Sequence, residues 1–356
     1  MAFIELNKSK LKHNYNYLNA LFTENNISWG VVSKLLCGNS LYLDFLISLG
    51  ARQLLDSRVS NLKTIKSLNP DIETIYIKPP PKRSIPSIVR YADISINTEY
   101  DTIKRLSEEA LLQQKVHKII IMIELGDLRE GVMGSDFIAF YRKVFELPGI
   151  DVVGIGANLT CMNGVLPNAD KLIQLSLYEE LIEARFDRNI PYVSGGTSVT
   201  IPLIERKLLP SGINHFRVGE TLFLGNNLYH QEPFDSMEQD VFTLYAEIIE
   251  LIVKPVVPDG SFGQNVEGET RTVNEDDYGK TALRAILDIG LLDVKQDSLF
   301  PVDKSVSLSG ASSDMIILEI AGSDSNYKVG DLVQFKLNYM GILSILSSSY
   351  IEKRLV

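Results

Sequence analysis

The stretch Ile27-Ser-Trp-Gly-Val-Val-Ser-Lys34 is the first of several short apolar runs in this 356-residue chain. Its length and its valines predict a buried strand over residues 28–34. Lys34 stands at the carboxyl end of that strand, where an amine is costly to bury unless it is paired or covalently used. A lysine there can also pack its stem and leave its amine in water. Lys34 alone does not decide between these two interpretations.

Seven further β-rich runs follow this first one, and helical patterns separate them. The eight predicted strands cover residues 28–34, 53–56, 74–78, 93–97, 118–124, 152–157, 192–195 and 215–218. The helical patterns include residues 8–23, 99–115 and 170–187, and Asp136 and Asn168 stand where they could cap helices. Eight repeats of strand and helix are typical of a (β/α)8 barrel of the TIM type.

The pattern changes from about residue 235. Strand-like runs begin at Val241, Leu283, Met315 and Leu332, with turn residues and no long helix between them. We therefore predict an α/β protein with a barrel over residues 1–232, followed by a smaller, mostly β domain over residues 233–356. Residues 1–7 could belong to this second domain instead of the barrel.

Composition narrows the class of protein. The hydrophobic content of 45% suits a globular chain, and we find no apolar run long enough to span a membrane. The net charge of −10 argues against nucleic acid and anionic membranes as partners. Two cysteines and no leader pattern favour the cytoplasm. Four scattered histidines provide no metal-ligand spacing, so no metal is expected.

Polar clusters follow the carboxyl ends of the predicted strands, where barrel enzymes place their working residues. Besides Lys34 they are Glu124-Leu-Gly-Asp-Leu-Arg-Glu-Gly131, Gly154-Ile-Gly-Ala-Asn-Leu-Thr-Cys-Met-Asn-Gly164, Ser194-Gly-Gly-Thr-Ser198 and Phe216-Arg-Val-Gly-Glu-Thr221. The last two have the small residues that expose backbone N–H groups to phosphate. A lysine at the same barrel mouth suggests a phosphorylated aldehyde cofactor held as a Schiff base.

These stretches resemble the fold type III pyridoxal-phosphate enzymes of the alanine racemase superfamily. The resemblance is greatest to the branch of predicted amino-acid racemases that includes ornithine racemase. It is carried by Val31-Val-Ser-Lys34, Glu124-Leu-Gly-Asp-Leu-Arg-Glu-Gly131, Gly154-Ile-Gly-Ala-Asn-Leu-Thr-Cys161, Ser194-Gly-Gly-Thr-Ser198, Ile213-Asn-His-Phe-Arg-Val-Gly-Glu220 and Gln239-Asp-Val-Phe-Thr-Leu244. The resemblance implies a pyridoxal 5′-phosphate-dependent racemase that removes a proton from Cα of an amino acid and returns it.

The resemblance also assigns roles to residues of this chain. The cofactor contacts it implies are Lys34 (covalent), Arg129, Asn158, Thr197, Ser198, Arg217, Gly219 and Glu220. Of these, Ser198 and the backbone of Thr197, Gly219 and Glu220 would hold the phosphate. Arg217 matches an arginine that faces the pyridine nitrogen and, being permanently charged, keeps it unprotonated. A weakened electron sink of this kind favours racemisation over transamination.

One position departs from the family pattern. Racemisation uses two proton-transfer groups, and Lys34 supplies one. In alanine racemases the second is a tyrosine in a Gly-Tyr-Ala-Asp motif, but this chain has Gly290-Leu-Leu-Asp293, with Leu291 in its place. Cys161 is our first substitute, since a thiol of lowered pKa can transfer protons, although it could equally be a small packed residue. Weaker substitutes are Tyr278, Tyr339 and Tyr350.

The missing tyrosine keeps other functions open. The chain could be a pyridoxal-phosphate carrier without turnover, or a lyase of the same fold. Against a lyase, Arg217 replaces the acidic residue of the decarboxylases, and no histidine follows His230 to supply an aldolase metal site. The resemblance favours ornithine or another basic amino acid as substrate, with Glu124, Asp127 and Glu220 as acidic groups for its distal amine. It also implies a head-to-tail homodimer.

Overall fold

A computed structural model of the chain describes residues 2–264, 268, 270, 272–321 and 326–356. The chain divides into two compact units, Ser9–Gln239 and Asp240–Val356 together with the residues up to Lys8. The division at 239/240 lies after the expected boundary at 232/233. The physical reason is that Asn14 accepts from the backbone N–H of Glu238 at 2.8 Å and donates to its carbonyl at 2.8 Å. The segment before Asp240 is thereby bound to the first unit.

The first unit contains the barrel, and all eight predicted strands are confirmed. The chain begins with strand β1 (Phe3–Leu6) and helix α1 (Lys8–Glu24). The barrel strands are β2 (Ser28–Val32), β3 (Gln53–Asp56), β4 (Glu73–Tyr76), β5 (Ile94–Asn97), β6 (His117–Met122), β7 (Ile150–Gly156), β8 (Tyr192–Ser194), β9 (Gly196–Thr197) and β10 (His215–Val218). The helices between them are α2 (Ser40–Ser48), α3 (Val59–Leu68), α4 (Ile85–Tyr91), α5 (Tyr100–Leu112), α6 (Phe137–Phe145), α7 (Ala169–Phe186), α8 (Ile201–Glu205) and α9 (Glu220–Leu224).

The barrel sheet closes through a divided seventh strand. The parallel order is β8-β7-β6-β5-β4-β3-β2-β10-β9. The two halves of the seventh strand, β8 and β9, are separated by Gly195 and pair with different neighbours. The first half pairs with β7 and the second with β10, so strands one and eight become adjacent. Two short strands, β11 (Asn226–Asn227) and β12 (Glu232–Pro233), form a separate hairpin pair.

Aliphatic side chains fill most of the barrel interior. A cluster that includes Leu55, Ile75, Ile94, Ile120 and Met122 is almost completely buried. Successive barrel strands contribute one or two such residues each, which is the layered packing of a (β/α)8 barrel. Burial of this apolar surface supplies the main driving force for closing the sheet.

Two local predictions were wrong and one was confirmed. The first barrel strand ends at Val32, and Lys34 lies in a 3-10 turn over Ser33–Leu36, because the Ser33 hydroxyl turns back to the Leu55 carbonyl at 3.2 Å. Asn168 caps α7, as predicted, by accepting from the Lys171 N–H. Asp136 precedes α6 but makes no side-chain capping bond.

The second unit is built mainly from antiparallel strands, and the four predicted there are confirmed. They are β13 (Phe242–Pro255), β14 (Thr281–Leu287), β17 (Ile316–Ile320) and β18 (Leu332–Leu337), and the unit also contains β15 (Leu299–Pro301), β16 (Val306–Ala311), α10 (Tyr339–Ser347) and β19 (Glu352–Leu355). The order is β15-β18-β13-β14-β17-β16. β1 pairs with β13 and β19, which is why the N-terminal residues belong to this unit.

Across the described residues, each helix is too short or too polar to traverse a lipid bilayer.

Candidate active site

The parallel pairing gathers the predicted site residues at one end of the barrel. Arg217 of β10 is in register with Gly30 of β2 on one side and with Thr197 of β9 on the other. Three adjacent strands therefore end together. The residues that follow those ends, and so share this mouth, are Lys34, Ser198, Gly219 and Glu220.

Lys34 lies on the exposed side of its 3-10 turn, immediately after the buried Ser33. Its charge interacts with the carboxylate of Glu220, at the start of α9. Partial burial raises the pKa of Glu220, and Lys34 acts in the opposite direction. The charges of these two side chains therefore influence each other at the barrel mouth.

The Ser194–Ser198 segment meets the end of β10 closely. Gly196 has no room for a side chain, since a Cβ there would lie 2.2 Å from the ring of Phe216. The buried Ser198 hydroxyl accepts from the backbone N–H groups of Gly219 at 3.3 Å and Thr221 at 3.4 Å. A hydroxyl and several backbone donors are therefore concentrated in one place, which is the composition of an anion site.

Arg217 is buried among neutral acceptors. Its Nη1 donates to the Ser194 carbonyl at 2.6 Å and to the Ser194 hydroxyl, and its Nη2 donates to the Ala157 carbonyl at 2.7 Å. No carboxylate among the described residues contacts it. Burial lowers the pKa of Arg217 to about 10, although the charge of Glu130 opposes this shift. The guanidinium still carries its charge at neutral pH.

Arg129 and Cys161 come from loops after different strands and touch directly. Arg129 Nη1 lies 2.7 Å from Cys161 Sγ, while Nε and Nη2 of Arg129 donate to the two carboxylate oxygens of Glu130. The bond to Glu130 is the main reason that the pKa of Arg129 is raised. The thiol is exposed and next to a fixed cation, which is the environment of a reactive cysteine.

Asp127 organises the loop that carries Cys161. Its carboxylate accepts from the backbone N–H groups of Met162 at 3.0 Å, Asn163 at 3.1 Å and Val165 at 3.4 Å. Burial acts to raise the pKa of Asp127, but these donors outweigh it, so the pKa is lowered. Because its oxygens are occupied in this way, Asp127 has a structural role in the loop. Glu124 is similarly engaged by the N–H groups of Gly126 and Leu128.

Asn158 presents an unsatisfied donor at the end of β7. Its Nδ2 is buried and finds no acceptor among the described residues. Buried polar atoms are seldom left unpaired, so each exception needs an explanation. An acceptor supplied by a ligand would provide one.

Three site residues were missed by the sequence interpretation. Ser194 holds Arg217, Glu130 pairs with Arg129, and His215 contacts Ser194 through Nδ1 at 2.6 Å. A signal for His215 did exist, because residues two apart on a strand share a face and Arg217 was already identified. No pattern in the sequence connects Ser194 with Arg217.

In the second unit, the segment at Leu291 keeps a defined turn without the tyrosine of alanine racemases. The Gly290 carbonyl accepts from the N–H of Asp293 at 3.0 Å, and the Asp293 carboxylate accepts from the Ser348 hydroxyl at 2.9 Å. Gly290 approaches the Ser313 carbonyl so closely that a Cβ would lie 2.3 Å from it. Glycine and aspartate therefore have structural roles here that do not depend on the residue between them.

The three tyrosines considered as replacements also lie in this unit. Tyr278 and Tyr350 are exposed, at 65% and 81%, and Tyr339 is half-buried at the start of α10. In the described ranges of the chain, no three His, Cys, Asp or Glu side chains are grouped in a way that could bind a metal ion.

Comparisons with known proteins agree with this geometry. A family model described as "Alanine racemase, N-terminal domain" matches residues 6–227. The chain is 36% identical over 354 residues to ornithine racemase of Acetoanaerobium sticklandii, and the aligned region covers 99% of both chains. It is 32% identical to lysine racemase of Thermotoga maritima over 90% of this chain and 89% of that protein.

Solved structures agree in fold. Alanine racemase of Clostridium difficile superposes with a TM-score of 0.75 at 16% identity, over 100% of this chain and 95% of that one. Alanine racemase of Bartonella henselae with covalently bound pyridoxal phosphate gives 0.73 at 15% identity, over 100% and 99%. The divided parallel barrel, the antiparallel second unit and the full-length relatives lead to one conclusion: this chain belongs to the alanine racemase family.

Proposed function

We propose that the protein is a pyridoxal 5′-phosphate-dependent racemase of basic amino acids. The observation that carries the proposal is Arg217, a charged guanidinium buried at the barrel mouth with only neutral partners in contact. A charge buried without an opposite charge in contact costs free energy, which supports a role for this guanidinium toward a ligand. The relatives named ornithine racemase and lysine racemase support the reaction and the substrate class.

The residues present fit this cofactor. Pyridoxal phosphate offers acceptors at its phosphate, phenolic oxygen and ring nitrogen. The mouth supplies donors of matching kind: Ser198 with its neighbouring backbone N–H groups, the unpaired Nδ2 of Asn158, and the guanidinium of Arg217. Lys34 would hold the aldehyde carbon covalently, and Arg129 and the backbone of Thr197, Gly219 and Glu220 would complete the contacts.

The chain's own groups then perform the proton transfers. When bound, the cofactor withdraws electrons from Cα of the substrate. Lys34 Nζ takes or returns the Cα proton on one face. Arg217 would donate a hydrogen bond toward the ring nitrogen and, because it keeps its own proton, would leave that nitrogen unprotonated. An unprotonated ring nitrogen would weaken the electron sink, so the proton would have to return to Cα quickly. This favours racemisation over transamination.

Cys161 is the group we propose for the opposite face of Cα. Arg129 fixes its sulfur at 2.7 Å, and Glu130 in turn fixes Arg129. The Cys161 thiol, held beside this cation, is the group that would carry the proton on this face. A Cys161→Ser variant should lose at least about tenfold in kcat while still exchanging the Cα proton on the lysine face. Equal kcat in the variant and the wild type would exclude this role.

The main test follows the Cα proton directly. Wild-type protein loaded with pyridoxal phosphate and incubated with L-ornithine in deuterated water should give D-ornithine with deuterium at Cα. Lys34→Ala should lose this activity and also the visible absorption band that borohydride bleaches in the wild type. A protein that binds the cofactor and exchanges no deuterium would instead be a carrier, which is the alternative that Leu291 leaves open.

For the substrate's distal ammonium we propose the carboxylate of Glu220. Of the three acidic groups considered from the sequence, Glu124 and Asp127 accept from backbone N–H groups. The carboxylate of Glu220 instead interacts with the charge of an amine, that of Lys34. A partly buried carboxylate near the reacting lysine can bind the second ammonium group of a diamino acid such as ornithine or lysine.

Glu220→Gln tests this assignment, with Asp136→Asn as the control, since Asp136 makes no side-chain capping bond. The Glu220 variant should raise KM for ornithine and lysine by about tenfold or more and leave KM for alanine unchanged. A fall in kcat for all three substrates would show that Glu220 acts on Lys34 instead. No change for any of them would place the ammonium site elsewhere.

A head-to-tail homodimer in the cytoplasm completes the proposal. Both cysteines are free, which suits a reducing compartment. In a dimer of this kind the second unit of one chain would cover the barrel mouth of its partner. Sedimentation should give a dimer, and an active monomer at nanomolar concentration would contradict this part of the proposal.

A further inference from the structure

A hydrogen-bond network of side chains extends from Arg217 through the barrel interior. We call Arg217, Ser194, His215, Gln53 and Glu73 the interior column. Ser194 Oγ lies 2.6 Å from His215 Nδ1, and His215 Nε2 lies 2.7 Å from Gln53 Oε1. Gln53 Nε2 donates to a carboxylate oxygen of Glu73 at 2.7 Å. The column thus joins the guanidinium at the mouth to the first residue of β4 at the opposite end of the barrel strands.

The chemistry of the members permits one arrangement of protons. Because the Gln53 amide nitrogen donates to Glu73, its oxygen faces His215 and can only accept, so Nε2 of His215 carries the hydrogen. Nδ1 then accepts from the Ser194 hydroxyl, whose lone pairs are left for Arg217. A neutral His215 is required throughout. Burial, and secondarily the charge of Arg217, lower the pKa of His215 to about 3, which agrees with this arrangement.

The barrel makes room for the column at Gly30. A Cβ at this position would lie 2.4 Å from Gln53 Oε1 and 2.3 Å from Leu55 Cδ1. Ser194 and His215 are fully buried, and Gln53 is 8% exposed. Four of the five polar side chains, those other than Glu73, are therefore buried in a place where other (β/α)8 barrels pack apolar layers. Such an arrangement costs stability compared with apolar packing, which suggests a functional reason for it.

We propose that His215 is a positioning residue for Arg217, acting through the Ser194 hydroxyl. The Ser194 carbonyl and hydroxyl and the Ala157 carbonyl use three of the five guanidinium N–H groups. Nε–H and one Nη2–H remain for a ligand. His215 Nδ1 fixes the Ser194 hydroxyl in the orientation that accepts from Nη1, and so fixes the plane of the guanidinium. The inference rests on the proposed function, in which Arg217 faces the cofactor ring.

Two substitutions of His215 separate positioning from packing. Asn places an acceptor near the Nδ1 position and keeps the bond to Ser194, whereas Gln reaches toward Gln53 and loses it. His117 provides the matched control, since it is also buried in the barrel wall and bonds a serine, Ser95, at 2.8 Å. His117 has no connection to Arg217 in the described part of the chain.

The measurements are the Kd for pyridoxal phosphate from titration of the apoprotein, kcat and KM for ornithine, and the apoprotein Tm. His215→Gln should weaken cofactor binding about tenfold and lower kcat about 10- to 100-fold with KM little changed. His215→Asn should stay within about threefold of the wild type in both Kd and kcat. His117→Gln should lower Tm and leave Kd and kcat unchanged. Ser194→Ala should match His215→Gln, and the double variant should be no worse than either.

Each other outcome overturns the inference. A His215→Gln protein with reduced Tm but wild-type Kd and kcat would make His215 a packing residue. Equal Kd and kcat for the Asn and Gln variants would show that the bond to Ser194 does not matter. A wild-type protein that binds no pyridoxal phosphate would overturn the proposed function, and the inference with it, and that result is recognised before any variant is made.

Discussion

The two arginines of the barrel mouth lie in opposite environments. Arg217 is buried and contacts neutral oxygens, and burial lowers its pKa. Arg129 is on a half-exposed loop and pairs with Glu130, which raises its pKa. The buried cation is therefore fixed by the barrel scaffold itself, whereas the loop cation is fixed by another charge. The first suits an unchanging contact with a cofactor ring, and the second suits a group next to a reacting thiol.

The largest expected contrast comes from replacing each arginine by methionine. Arg217→Met removes the donor of the buried Ala157 carbonyl, whereas the Ser194 carbonyl keeps the Ala157 N–H at 3.2 Å. The expected cost is about 1–3 kcal/mol in the free energy of unfolding. Arg129→Met breaks a partly exposed ion pair and should cost about 1 kcal/mol or less. Urea unfolding of the apoproteins measures both values. Equal losses would show that the two environments do not differ in energy as their contacts indicate.

Acid should act on the interior through His215. The pKa of His215 is about 3 in the folded state, below the ordinary value of 6.5. Between pH 6.5 and pH 3 the unfolded chain therefore binds a proton at this residue and the folded chain does not. Stability therefore falls as the pH falls from 6.5 toward 3, by about 1.4 kcal/mol per pH unit from this group. His117, with a pKa lowered to about 4, acts in the same direction.

Urea unfolding of the wild type and of His215→Asn at pH 7, 6 and 5 isolates this contribution. The variant should be less stable at pH 7 and lose less stability with acid, so the two curves approach each other. Parallel curves would mean that His215 is protonated in the folded protein and that the proton arrangement of the interior column is wrong.

The smallest effect is expected in the loop that carries Cys161. Asp127→Asn keeps one oxygen but replaces the other, so one of the N–H groups of Met162 and Asn163 loses its acceptor. The loop should open with a local cost of about 1–2 kcal/mol. Hydrogen exchange at these two amides should accelerate about tenfold while Tm changes little. Asp136→Asn is the control, because Asp136 makes no capping bond. Faster exchange of the Met162 and Asn163 amides in this control would point to a general effect of lost charge.

The sequence predicted the fold well because strand and helix periodicity are local signals. All eight barrel strands were located, and the relatives confirm the family. The site roles of Lys34, Arg217 and Cys161 remain predictions, although the structure brings their neighbourhoods together at one mouth. The interior column was missed because it joins strands far apart in the chain: Gln53 and His215 are 162 residues apart. The end of the first strand was misplaced because a single side-chain bond from Ser33 starts the turn.

The division of the seventh strand at Gly195 has a consequence for how the protein can change. Ser194 ends the half that pairs with β7, and Thr197 lies in the half that pairs with β10. This one interruption thus sets two things: the position of Ser194 relative to the Arg217 guanidinium, and the start of the segment that contains Ser198. An added or deleted residue between them would misalign both at once, so we expect this segment to accept substitutions but no change of length.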